Sequence, residues 1–561
     1  GDTYSVGVLK STDGGVTWST TGLNWSVTLT RRINRLLIDP NNPSVLYAAT
    51  SNGVYKTTNA GSNWTQLISG NYQDMEFKPN NYSTIYISST RVFRSTDAGS
   101  NWIQLSDNFP TTGVNRVALG VTPADNQYIY ALLSSSASTF YGLYRSTNDG
   151  DNWEKMSSTP NILGRNVDGS DNVGQGWYDL CIAVSQSNKD MIFCGGINTW
   201  RSTNGGSDWQ IVSMWYNYGQ VPTIHADQHD LFFIPSTNTL YAGNDGGVYR
   251  TTNNGLSWSW LGSGLGITQF YKIGVSQLNV ENVIAGAQDN GTKYLKKGDW
   301  YDVYGGDGTE CFIDYSDEKY VYASMQYGSL YRSTNGGNSF IDIKPSGQTG
   351  AWVSPFFIHP SVPSTIYACY KDIFISTNRG TSWKQLTNFG SSRLITVAHI
   401  APANPDYIYI YDGFNIRVTK DGGTTWTSYS LPTNRALTYI ISHPEDPEKI
   451  YASFSGYTNG EKCYVSDNSG SSWNNISYNL PNIPMECLAF NEEDNEKLFI
   501  GTDWGIYFID KTMSQWQSFN EGLPNVMITE MEIHQETKTL FASSYGRGVW
   551  SRQLSSLPKI T

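Results

Sequence analysis

Two histidines and an aspartate between residues 225 and 229 have a spacing that suits a metal site. His225, Asp227 and His229 form the pattern His-x-Asp-x-His within TIHADQHD. If this segment is extended, alternation of side chains between two faces puts all three on one face. Two imidazoles and a carboxylate suit Zn²⁺ or another transition metal. Hydrogen bonding of the same side chains to loop backbones is the alternative, and the sequence leaves it open.

Four other carboxylates lie in Gly-rich turns: Asp245 in GNDGG, Asp289 in GAQDNG, and Asp307 and Glu310 in GGDGTE. Two carboxyls about 5–9 Å apart across a cleft can cleave a glycosidic bond by acid and base catalysis. Turn structure is the competing interpretation for each residue alone, because Asn-Asp-Gly-Gly and Asp-Asn-Gly are ordinary hairpin sequences. We expect Asp307 and Glu310 to contribute to ligand binding.

A calcium site is a further candidate, because Ca²⁺ prefers clustered carboxylates and turn carbonyls. Asp168 and Asp171 in NVDGSDNVGQGWYD fit this chemistry, as does Asp307. Calcium is the one cofactor that the composition of these loops suggests, and none is certain.

Aromatic side chains near these loops are candidates for stacking on sugars, because CH-rich pyranose faces pack on indole. The set is Trp177, Tyr178, Trp200, Trp215, Tyr216, Tyr218 and Trp352. Many of these rings are equally suited to core packing. Trp215 and the following YNYG lie in a loop, and we expect them to be exposed.

A repeat positions all of these residues. The pattern Ser/Thr-x-Asp/Asn-x-Gly-x-x-aromatic occurs ten times, from STDGGVTW at 11–18 to SDNSGSSW at 466–473, and degenerate copies end at Trp300 and Trp516. The mean period of about 45 residues suits a four-stranded propeller blade. In each copy the Asp or Asn can accept backbone N–H bonds, the Gly suits a positive φ and the aromatic ring packs between sheets. These roles are structural, so the box aspartates Asp13, Asp97 and Asp421 are poor catalytic candidates.

The fold predicted from this repeat is all-β, with tandem β-propellers in two rings of about seven four-stranded blades. Each unit contains four strands, A to D from inside to outside, and the box caps the C–D hairpin. The expected domains are residues 1–265, which start in mid-blade, and residues 266–561, with the junction in GSGLGIT at 262–268. The last unit has strands A to C but no box, so its strands are expected to close onto the N-terminal part or onto an upstream strand.

Propeller topology sorts the candidate residues by face. D–A connections and B–C turns open on one face, and A–B turns and boxes open on the other. The segments that contain Asp168, His225, Asp245, Asp289 and Asp307 are all D–A connections or B–C turns. The functional face is therefore expected to lie opposite the boxes. We further expect His225, Asp227, Asp245, Asp289, Asp307 and Glu310 to form one constellation, with at least three side chains within about 10 Å of one another.

Composition excludes several classes of protein. The formal net charge is −12 with no long basic cluster, which disfavours nucleic acid and anionic lipid. No apolar run approaches the ~18 residues of a membrane helix. Abundant Tyr, Trp, Gly, Asn and Ser with few Lys are typical of an extracellular protein. Cys181 and Cys194 face each other across a predicted hairpin, either as a disulfide or as two buried thiols.

The boxes and the spacing in DPNNPSVLYAATSNGVYKT resemble the Asp-box (BNR) β-propeller superfamily of sortilin-like and xyloglucanase-like proteins. HADQHDL, GNDGGVYR, GAQDNGTK and SSYGRGVWSRQL resemble more narrowly large secreted Bacteroidetes proteins exported by type IX secretion. The first resemblance implies that Asp245 and Asp289 are the nearest matches to the catalytic aspartates of xyloglucan-cleaving enzymes. Sialidases share the box, but their arginine triad has no match here.

The leading functional hypothesis is a secreted or cell-surface tandem propeller that binds glycan or protein through the face opposite the boxes. A xyloglucanase-like glycoside hydrolase acting in the cleft between the rings is the first alternative, and a passive structural or secretion-cargo module is the second. The expected partners are extracellular polysaccharide or a surface protein, without nucleic acid and without membrane insertion.

Overall fold

A computed structural model describes residues 5–235, 237–491 and 497–554. The chain divides into two compact units, residues 1–264 and 265–561. The described residues form β-strands and two 3-10 turns, Val27–Leu29 and Gln326–Gly328, and contain no α-helix. No helical segment in these ranges has the length and apolar character needed to cross a membrane. The predicted all-β fold of four-stranded sheets is confirmed.

The described part of the first unit contains a two-stranded sheet, β1–β2, followed by five four-stranded sheets. Its strands are β1 Gly7–Lys10, β2 Ser19–Asn24, β3 Ile33–Ile38, β4 Leu46–Thr50, β5 Gly53–Thr57, β6 Thr65–Ser69, β7 Asp74–Lys78, β8 Asn81–Ser88, β9 Val92–Ser95, β10 Ile103–Gln104, β11 Val114–Val121, β12 Ile129–Ser135, β13 Phe140–Ser146, β14 Glu154–Ser157, β15 Cys181–Val184, β16 Ile192–Gly195, β17 Thr199–Ser202, β18 Gln210–Ser213, β19 Gln228–Phe233, β20 Leu240–Asn244, β21 Gly247–Thr251 and β22 Ser259–Trp260.

The described part of the second unit contains six four-stranded sheets and a final three-stranded sheet, β47–β49. Its strands are β23 Phe270–Val275, β24 Val283–Ala287, β25 Gly291–Lys296, β26 Asp299–Tyr304, β27 Gly308–Ile313, β28 Val321–Met325, β29 Ser329–Ser333, β30 Ile341–Asp342, β31 Phe356–Ile358, β32 Ile366–Cys369, β33 Ile373–Ser376, β34 Lys384–Gln385, β35 Val397–Ile400, β36 Ile408–Tyr411, β37 Ile416–Thr419, β38 Thr427–Tyr429, β39 Leu437–Ser442, β40 Ile450–Phe454, β41 Cys463–Ser466, β42 Asn474–Asn475, β43 Met485–Phe490, β44 Leu498–Thr502, β45 Gly505–Ile509, β46 Gln517–Ser518, β47 Ile528–His534, β48 Thr539–Ser544 and β49 Val549–Gln553.

Each four-stranded sheet pairs its strands antiparallel in chain order, A to D. The A strands are the inner ones, because they contact the A strands of neighbouring sheets, as β11 contacts β7 and β15. The core lies between adjacent sheets. One such layer packs Tyr130 and Leu132 of one sheet against Ile182, Ile192 and Trp200 of the next.

The Asp-box turns have the predicted geometry. In the box at 95–102, Ser95 Oγ accepts the N–H of Gly99 at 2.8 Å and donates to Asp97 Oδ1 at 2.8 Å. Asp97 Oδ1 also accepts the N–H of Asn101 at 2.8 Å. Hydrogen bonds from the Asn101 side chain and backbone lower the pKa of Asp97 to about 2. The box carboxylate is therefore occupied by the turn itself, which confirms its structural role.

The box aromatics differ in burial. Trp153 is 2% exposed and packs between two sheets, whereas Trp18 of the first box is 61% exposed. Trp18 lies in the connection between β1 and β2, and among the described residues no earlier sheet is available for it to pack against. The same sequence motif thus closes a turn everywhere but fills a core position only between two complete sheets.

In the second unit, the last sheet lies against the first. Thr529 Oγ1 of β47 donates to the Phe270 carbonyl of β23 at 2.8 Å, and the N–H of Val275 donates to Glu532 Oε2 at 2.6 Å. Among the described residues, the final strands form a sheet of β47, β48 and β49 in this unit. Their closure onto the N-terminal part or onto an upstream strand stays a prediction.

Cys181 and Cys194 are buried free thiols. In the β15–β16 pairing, Cys181 lies opposite Gly195, and Cys194 lies opposite Ile182. The expected register is therefore off by one residue, which puts the two side chains on opposite faces of the sheet. A disulfide between them does not form.

Candidate functional site

Two loops and one turn build a polar cluster in the first unit. The loops are the D–A connections at 158–180 and 214–227, and the turn is the B–C connection at 245–246. They meet because the A strands that follow the loops, β15 and β19, are neighbours. Asn198, which is 1% exposed, ties the loops together: its side chain donates to Gly164 O at 3.1 Å and accepts the N–H of Trp215 at 3.1 Å.

Asp245 accepts two side-chain hydrogen bonds in this cluster. Tyr178 Oη donates to Oδ2 at 2.9 Å, and His229 Nε2 lies 2.7 Å from Oδ1. The Tyr178 and His229 rings meet edge to face at 4.7 Å. Burial favours a higher pKa for Asp245, but the bonds from His229 and Tyr178 outweigh it and lower the pKa. Asp245 is therefore an ionised carboxylate.

Arg116 on β11 fixes the loop that carries Tyr178. Its guanidinium Nη1 donates to the Tyr178 carbonyl at 3.0 Å. Because this contact is to the backbone, it sets the position of the Tyr178 ring without using its hydroxyl. The hydroxyl thus remains directed at Asp245.

A second pair of carboxyls, Asp179 and Asp227, is bridged by one amide. Gln175 Nε2 donates to Asp227 Oδ1 at 2.5 Å and to Asp179 Oδ2 at 3.3 Å. Asp179 is 0% exposed. Its Oδ1 receives no N–H or O–H from the described residues. The Asp179 and Asp227 carboxyls are close enough to share a proton.

Both acids hold a proton more tightly than a free carboxyl does. Burial, and then the charge of Asp227, raise the pKa of Asp179 to about 9. Burial, and then the charge of Asp245, raise the pKa of Asp227. The cluster thus places a proton-holding pair beside an ionised carboxylate, and environments that differ in this way assign acid and base roles in many enzymes.

The metal site expected at His225, Asp227 and His229 does not have the assumed geometry. The segment is not extended, because Asp227 has a φ of 65° and β19 begins only at Gln228. The three side chains have separate contacts: His225 Nδ1 lies 3.2 Å from Ala226 O, Asp227 contacts Gln175, and His229 contacts Asp245. Within the described ranges, no three His, Cys, Asp or Glu side chains are arranged to hold a metal ion.

Asp168 and Asp171, the calcium candidates, brace their own loop. Asp168 Oδ1 accepts the N–H of Ser170 at 3.1 Å. Asp171 accepts the N–H of Asn166 at 2.6 Å and that of Val173 at 3.1 Å. These bonds account for the two carboxylates as turn residues.

The aromatic candidates separate into exposed and buried rings. Trp177 is 59% exposed, and Trp215 is also exposed next to Tyr216, whose ring lies 4.9 Å away. Trp200 is 3% exposed in a core layer, which corrects its assignment as a ligand-binding residue. It occupies the β17 position equivalent to Tyr144 of β13, which is likewise buried in a layer between two sheets.

In the second unit, the candidate carboxylates do not form a comparable group. The backbone N–H of Asp289 donates to Asp307 Oδ1 at 2.5 Å, so these two residues are in contact. Glu310 instead faces the inside of the ring on β27, where its carboxylate lies 3.9 Å from Lys272 Nζ. Trp352 is exposed, and its indole Nε1 donates to Tyr271 Oη at 3.1 Å.

The interior of the second unit contains a cavity of about 650 Å³. Its lining includes Lys272, Glu310, Glu530 and Tyr439. Lys272 pairs with Glu530, and Tyr439 Oη donates to Glu530 Oε1 at 2.6 Å. Burial, only partly offset by Lys272, raises the pKa of Glu310 to about 7.

Sequence reasoning missed Asp179 and Gln175 and treated Tyr178 only as an aromatic surface. All three lie in QGWYDL, immediately before the buried strand β15. The available signal was the position of Asp179, two residues before the apolar inner strand β15. A side chain so close to a buried strand is expected to be buried as well.

The boxes, the stacked sheets and a family comparison agree on the class of protein. The model of the family described as Sortilin, neurotensin receptor 3 (Sortilin-Vps10) matches residues 371–502. Over this segment the chain is similar to the Asp-box β-propeller superfamily of sortilin-like proteins. Three boxes, at 376–383, 419–426 and 466–473, lie in the matched segment.

Three crystal structures share the fold of this Asp-box propeller protein. The GH74 enzyme of Niastella koreensis is 18% identical over 99% of this chain and 87% of that one, with a TM-score of 0.64. The GH74 xyloglucanase of Xanthomonas campestris is 13% identical over 97% and 86%, also with a TM-score of 0.64. An ancestral GH74 enzyme is 15% identical over 99% and 95%, with a TM-score of 0.58. The comparison with curated proteins finds no match. At these identities the likeness concerns the fold.

Proposed function

We propose that this Asp-box propeller is an extracellular protein that binds polysaccharide through the box-opposite face of its first unit. The observation that carries the proposal is the position of Trp177, exposed by 59% and directly beside Tyr178 of the polar cluster. An exposed indole offers a flat surface to a pyranose ring. His229, Tyr178 and Asp245 beside it offer donors and acceptors to sugar hydroxyls.

Exposed aromatics on the second loop extend this surface. Trp215, Tyr216 and Tyr218 follow one another in the 214–227 loop, with ring centroids 4.9 Å and 6.1 Å apart. A row of rings on loops of one face suits a chain of sugars better than a single one. A polysaccharide is therefore preferred over a protein partner as the ligand class.

The extracellular location rests on composition, and the cysteines are compatible with it. The chain is low in charge and rich in aromatic residues, and all six cysteines are buried and free. Buried thiols are protected from the oxidants of that compartment. Secretion, including the type IX route, stays part of the proposal.

Binding is tested with soluble polysaccharides in affinity electrophoresis, including xyloglucan, β-glucans and mannans. Trp177→Ala is expected to lower affinity for the retarding polysaccharide by about tenfold, because stacking rings dominate such contacts. Trp18→Ala is the matched control, since it removes an equally exposed indole from the box side of the same unit. Equal retardation of both variants would refute the proposed face.

A glycoside hydrolase is the second candidate. The observation that favours it is the contrast between Asp245, whose pKa is lowered chiefly by the bonds from His229 and Tyr178 against the effect of burial, and Asp227, whose pKa is raised by burial. Carboxyls whose pKa values are moved in opposite directions are the kind of pair that glycoside hydrolysis uses. Asp289, in the second unit, is the other aspartate that the sequence nominated, and its variant is tested in parallel.

Release of reducing ends from the same panel distinguishes the candidates. Turnover that is lost in Asp245→Asn and Asp227→Asn, while Asp168→Asn keeps it, would establish the hydrolase. Binding without turnover would establish the binding protein. If neither binding nor turnover is observed, the passive structural or secretion-cargo module is the remaining hypothesis.

A further inference from the structure

One tight turn in the first unit carries an exposed ring and a buried acid two residues apart. The N–H groups of Tyr178 and Asp179 both donate to the Gln175 carbonyl, at 2.7 Å and 3.0 Å, and these bonds close the turn. Trp177 is 59% exposed, whereas Asp179 is 0% exposed. Cα atoms two residues apart are separated by no more than about 7.6 Å. A sugar that stacks on the indole therefore lies close to the buried acid.

Asp179 and its neighbour Asp227 lack a counter-ion among the described residues. The one neighbouring side chain that donates an N–H to them is the Gln175 amide, 3.3 Å from Asp179 Oδ2 and 2.5 Å from Asp227 Oδ1. An amide carries no charge. In the same part of the chain, Asp179 Oδ1 has no donor at all. This arrangement is costly for two ionised carboxyls, because a buried charge needs a partner.

Asp245 adds to the negative charge at this pair. Burial, and then the charge of Asp245, raise the pKa of Asp227, and His225 and His229 act in the opposite direction. His229 Nε2 lies 2.7 Å from Asp245 Oδ1, so a positive charge on this ring is directed at Asp245. The three carboxyls thus outnumber the two imidazoles that oppose them. A site with this balance of charge attracts cations.

Arg116 is a fixed cation near the pair, but it holds the turn instead of pairing with an acid. Its charge and that of Asp179 act on each other, while its Nη1 donates to the carbonyls of Trp177 and Tyr178 at 3.4 Å and 3.0 Å. The pair holds a proton in place of a cation, because burial, and then the charge of Asp227, raise the pKa of Asp179 to about 9. A cation brought by a ligand favours the ionised form of such a group.

The cation that fits this position is an organic one. Within the described ranges, no three His, Cys, Asp or Glu side chains are arranged to hold a metal ion. The rings of Trp177 and Tyr178, with centroids 5.4 Å apart, attract cations through their faces. A sugar that bears an ammonium group offers an apolar face to the indole and a positive charge to the carboxyls.

We propose that this site takes a polysaccharide of amino sugars, with an ammonium group bound at Asp227 and its sugar ring stacked on Trp177. Asp227 is the accessible member of the pair, since it is partly exposed and Asp179 is not. The ammonium group replaces the proton held by the pair, and that proton passes to the solvent. Polysaccharides that carry carboxylates or sulfates are disfavoured by the same charges. This inference rests on carbohydrate binding by the first unit, as proposed above, and names the class of its ligand.

Three oligosaccharides of equal length and linkage test the ligand class: β-linked oligomers of glucosamine, N-acetylglucosamine and glucose. Their affinities for the full chain are measured by isothermal titration calorimetry at about pH 6.5, where an amine is cationic, and in about 0.15 M salt, which screens long-range attraction to the acidic protein. We expect the glucosamine oligomer to bind about tenfold more tightly than the other two, which is the contribution of one charge-assisted hydrogen bond.

The outcomes separate this inference from the proposed function. Equal affinities for the three oligomers would overturn the inference and leave carbohydrate binding in place. Weaker binding of the glucosamine oligomer than of the glucose oligomer would do the same. If none of the three binds, the inference is wrong, and the affinity electrophoresis with polysaccharides described above decides the proposed function separately.

A matched pair of variants locates the ammonium group. Asp227→Asn removes the charge with little change of shape and is expected to make the affinities for the glucosamine and glucose oligomers equal. Asp168→Asn removes one exposed charge from the first of the two loops, so it changes the net charge equally, and it is expected to keep the preference. Retained binding of the glucose oligomer shows that each variant is folded. A preference for glucosamine that survives Asp227→Asn, or that Asp168→Asn abolishes as well, would overturn the inference.

Discussion

The two units use charged residues inside the protein in different ways. In the second unit, Lys272, Glu530 and Tyr439 satisfy one another on inner strands that line a cavity. In the first unit, the perturbed carboxyls Asp179, Asp227 and Asp245 lie on loops, next to exposed aromatic rings. Groups that pair within a ring stabilise it, whereas groups on loops with unequal protonation can act on a ligand.

The first unit also contains a network of charged side chains on its inner strands. Arg35 on β3 lies 2.7 Å from Glu76 and 3.7 Å from Asp230, so it joins β7 and β19. This network resembles that of Lys272 in kind, but its arginine is more exposed. The contrast in function therefore comes from the loops of the first unit and not from its strands.

The largest effect is expected where both units are alike. Trp153→Ala in the first unit and Trp516→Ala in the second should each lower the free energy of unfolding by about 3–5 kcal/mol, because each removes a buried indole. Trp18→Ala should change it by no more than about 0.5 kcal/mol, because that ring is exposed. Urea denaturation followed by tryptophan fluorescence measures all three, and a loss for Trp18→Ala equal to that for Trp153→Ala would contradict the role of the sheet interface.

The next effect should separate the inner networks. Lys272→Met should destabilise by about 3 kcal/mol, because it leaves Glu530 buried without its cation. Arg35→Met should cost about 1 kcal/mol, because its partners are partly hydrated. Denaturation midpoints of the two variants decide the matter. A larger decrease in stability for Arg35→Met than for Lys272→Met would show that the Arg35 network is the more strongly buried one.

A smaller, pH-dependent effect is expected in the loops. The folded-state pKa of Asp179, raised by burial to about 9, exceeds its unfolded value of 3.8. The folded protein therefore binds the proton more tightly, and this contribution to stability is complete below the unfolded pKa and is lost as the pH rises towards 9. Asp179→Asn mimics the protonated acid and should stabilise by about 1–3 kcal/mol at pH 8.

The control for this variant is Asp168→Asn, which changes an exposed loop carboxylate in the same segment. In thermal melts between about pH 4 and pH 8, the melting temperature of Asp179→Asn relative to the parent protein should increase with pH. That of the control should not change with pH. A gain that is independent of pH would show that the two buried acids do not share a proton.

The smallest effect concerns metal. Because Asp168 and Asp171 are engaged by backbone N–H groups, addition of EDTA should change the melting temperature by less than about 1 °C. A clear fall that calcium restores would reinstate the ion site that the loop composition suggested.

The sequence predicted what is local and repeated. The bonds of Asp97 span four residues, so the box geometry follows from one motif, and the face of each loop follows from strand order. The contact between Asp179 and Asp227 depends on two loops that do not repeat, and no single segment encodes it. Asp227 also has a left-handed backbone, which breaks the alternation assumed for His225 and His229.

Trp200 illustrates a different kind of error. Aligning NTWRS with GLYRS at 142–146 puts Trp200 at the position of Tyr144, which is buried in a core layer. The repeat therefore contained the information needed to place the ring in the core. The prediction that Trp200 binds ligand relied instead on its closeness in sequence to the candidate loops, which is weaker evidence.

The short span of the box bonds also bears on how such a protein diversifies. Ser95 and Asp97 close their turn with donors no more than four residues away, so a copied unit brings its own fastening with it. Gene duplication can then add one blade at a time. The loops on the opposite face do not close the box turns, so their sequences can change and acquire new ligands. Because the box turn keeps each copied blade folded, the loops on the opposite face can change in sequence without loss of the fold.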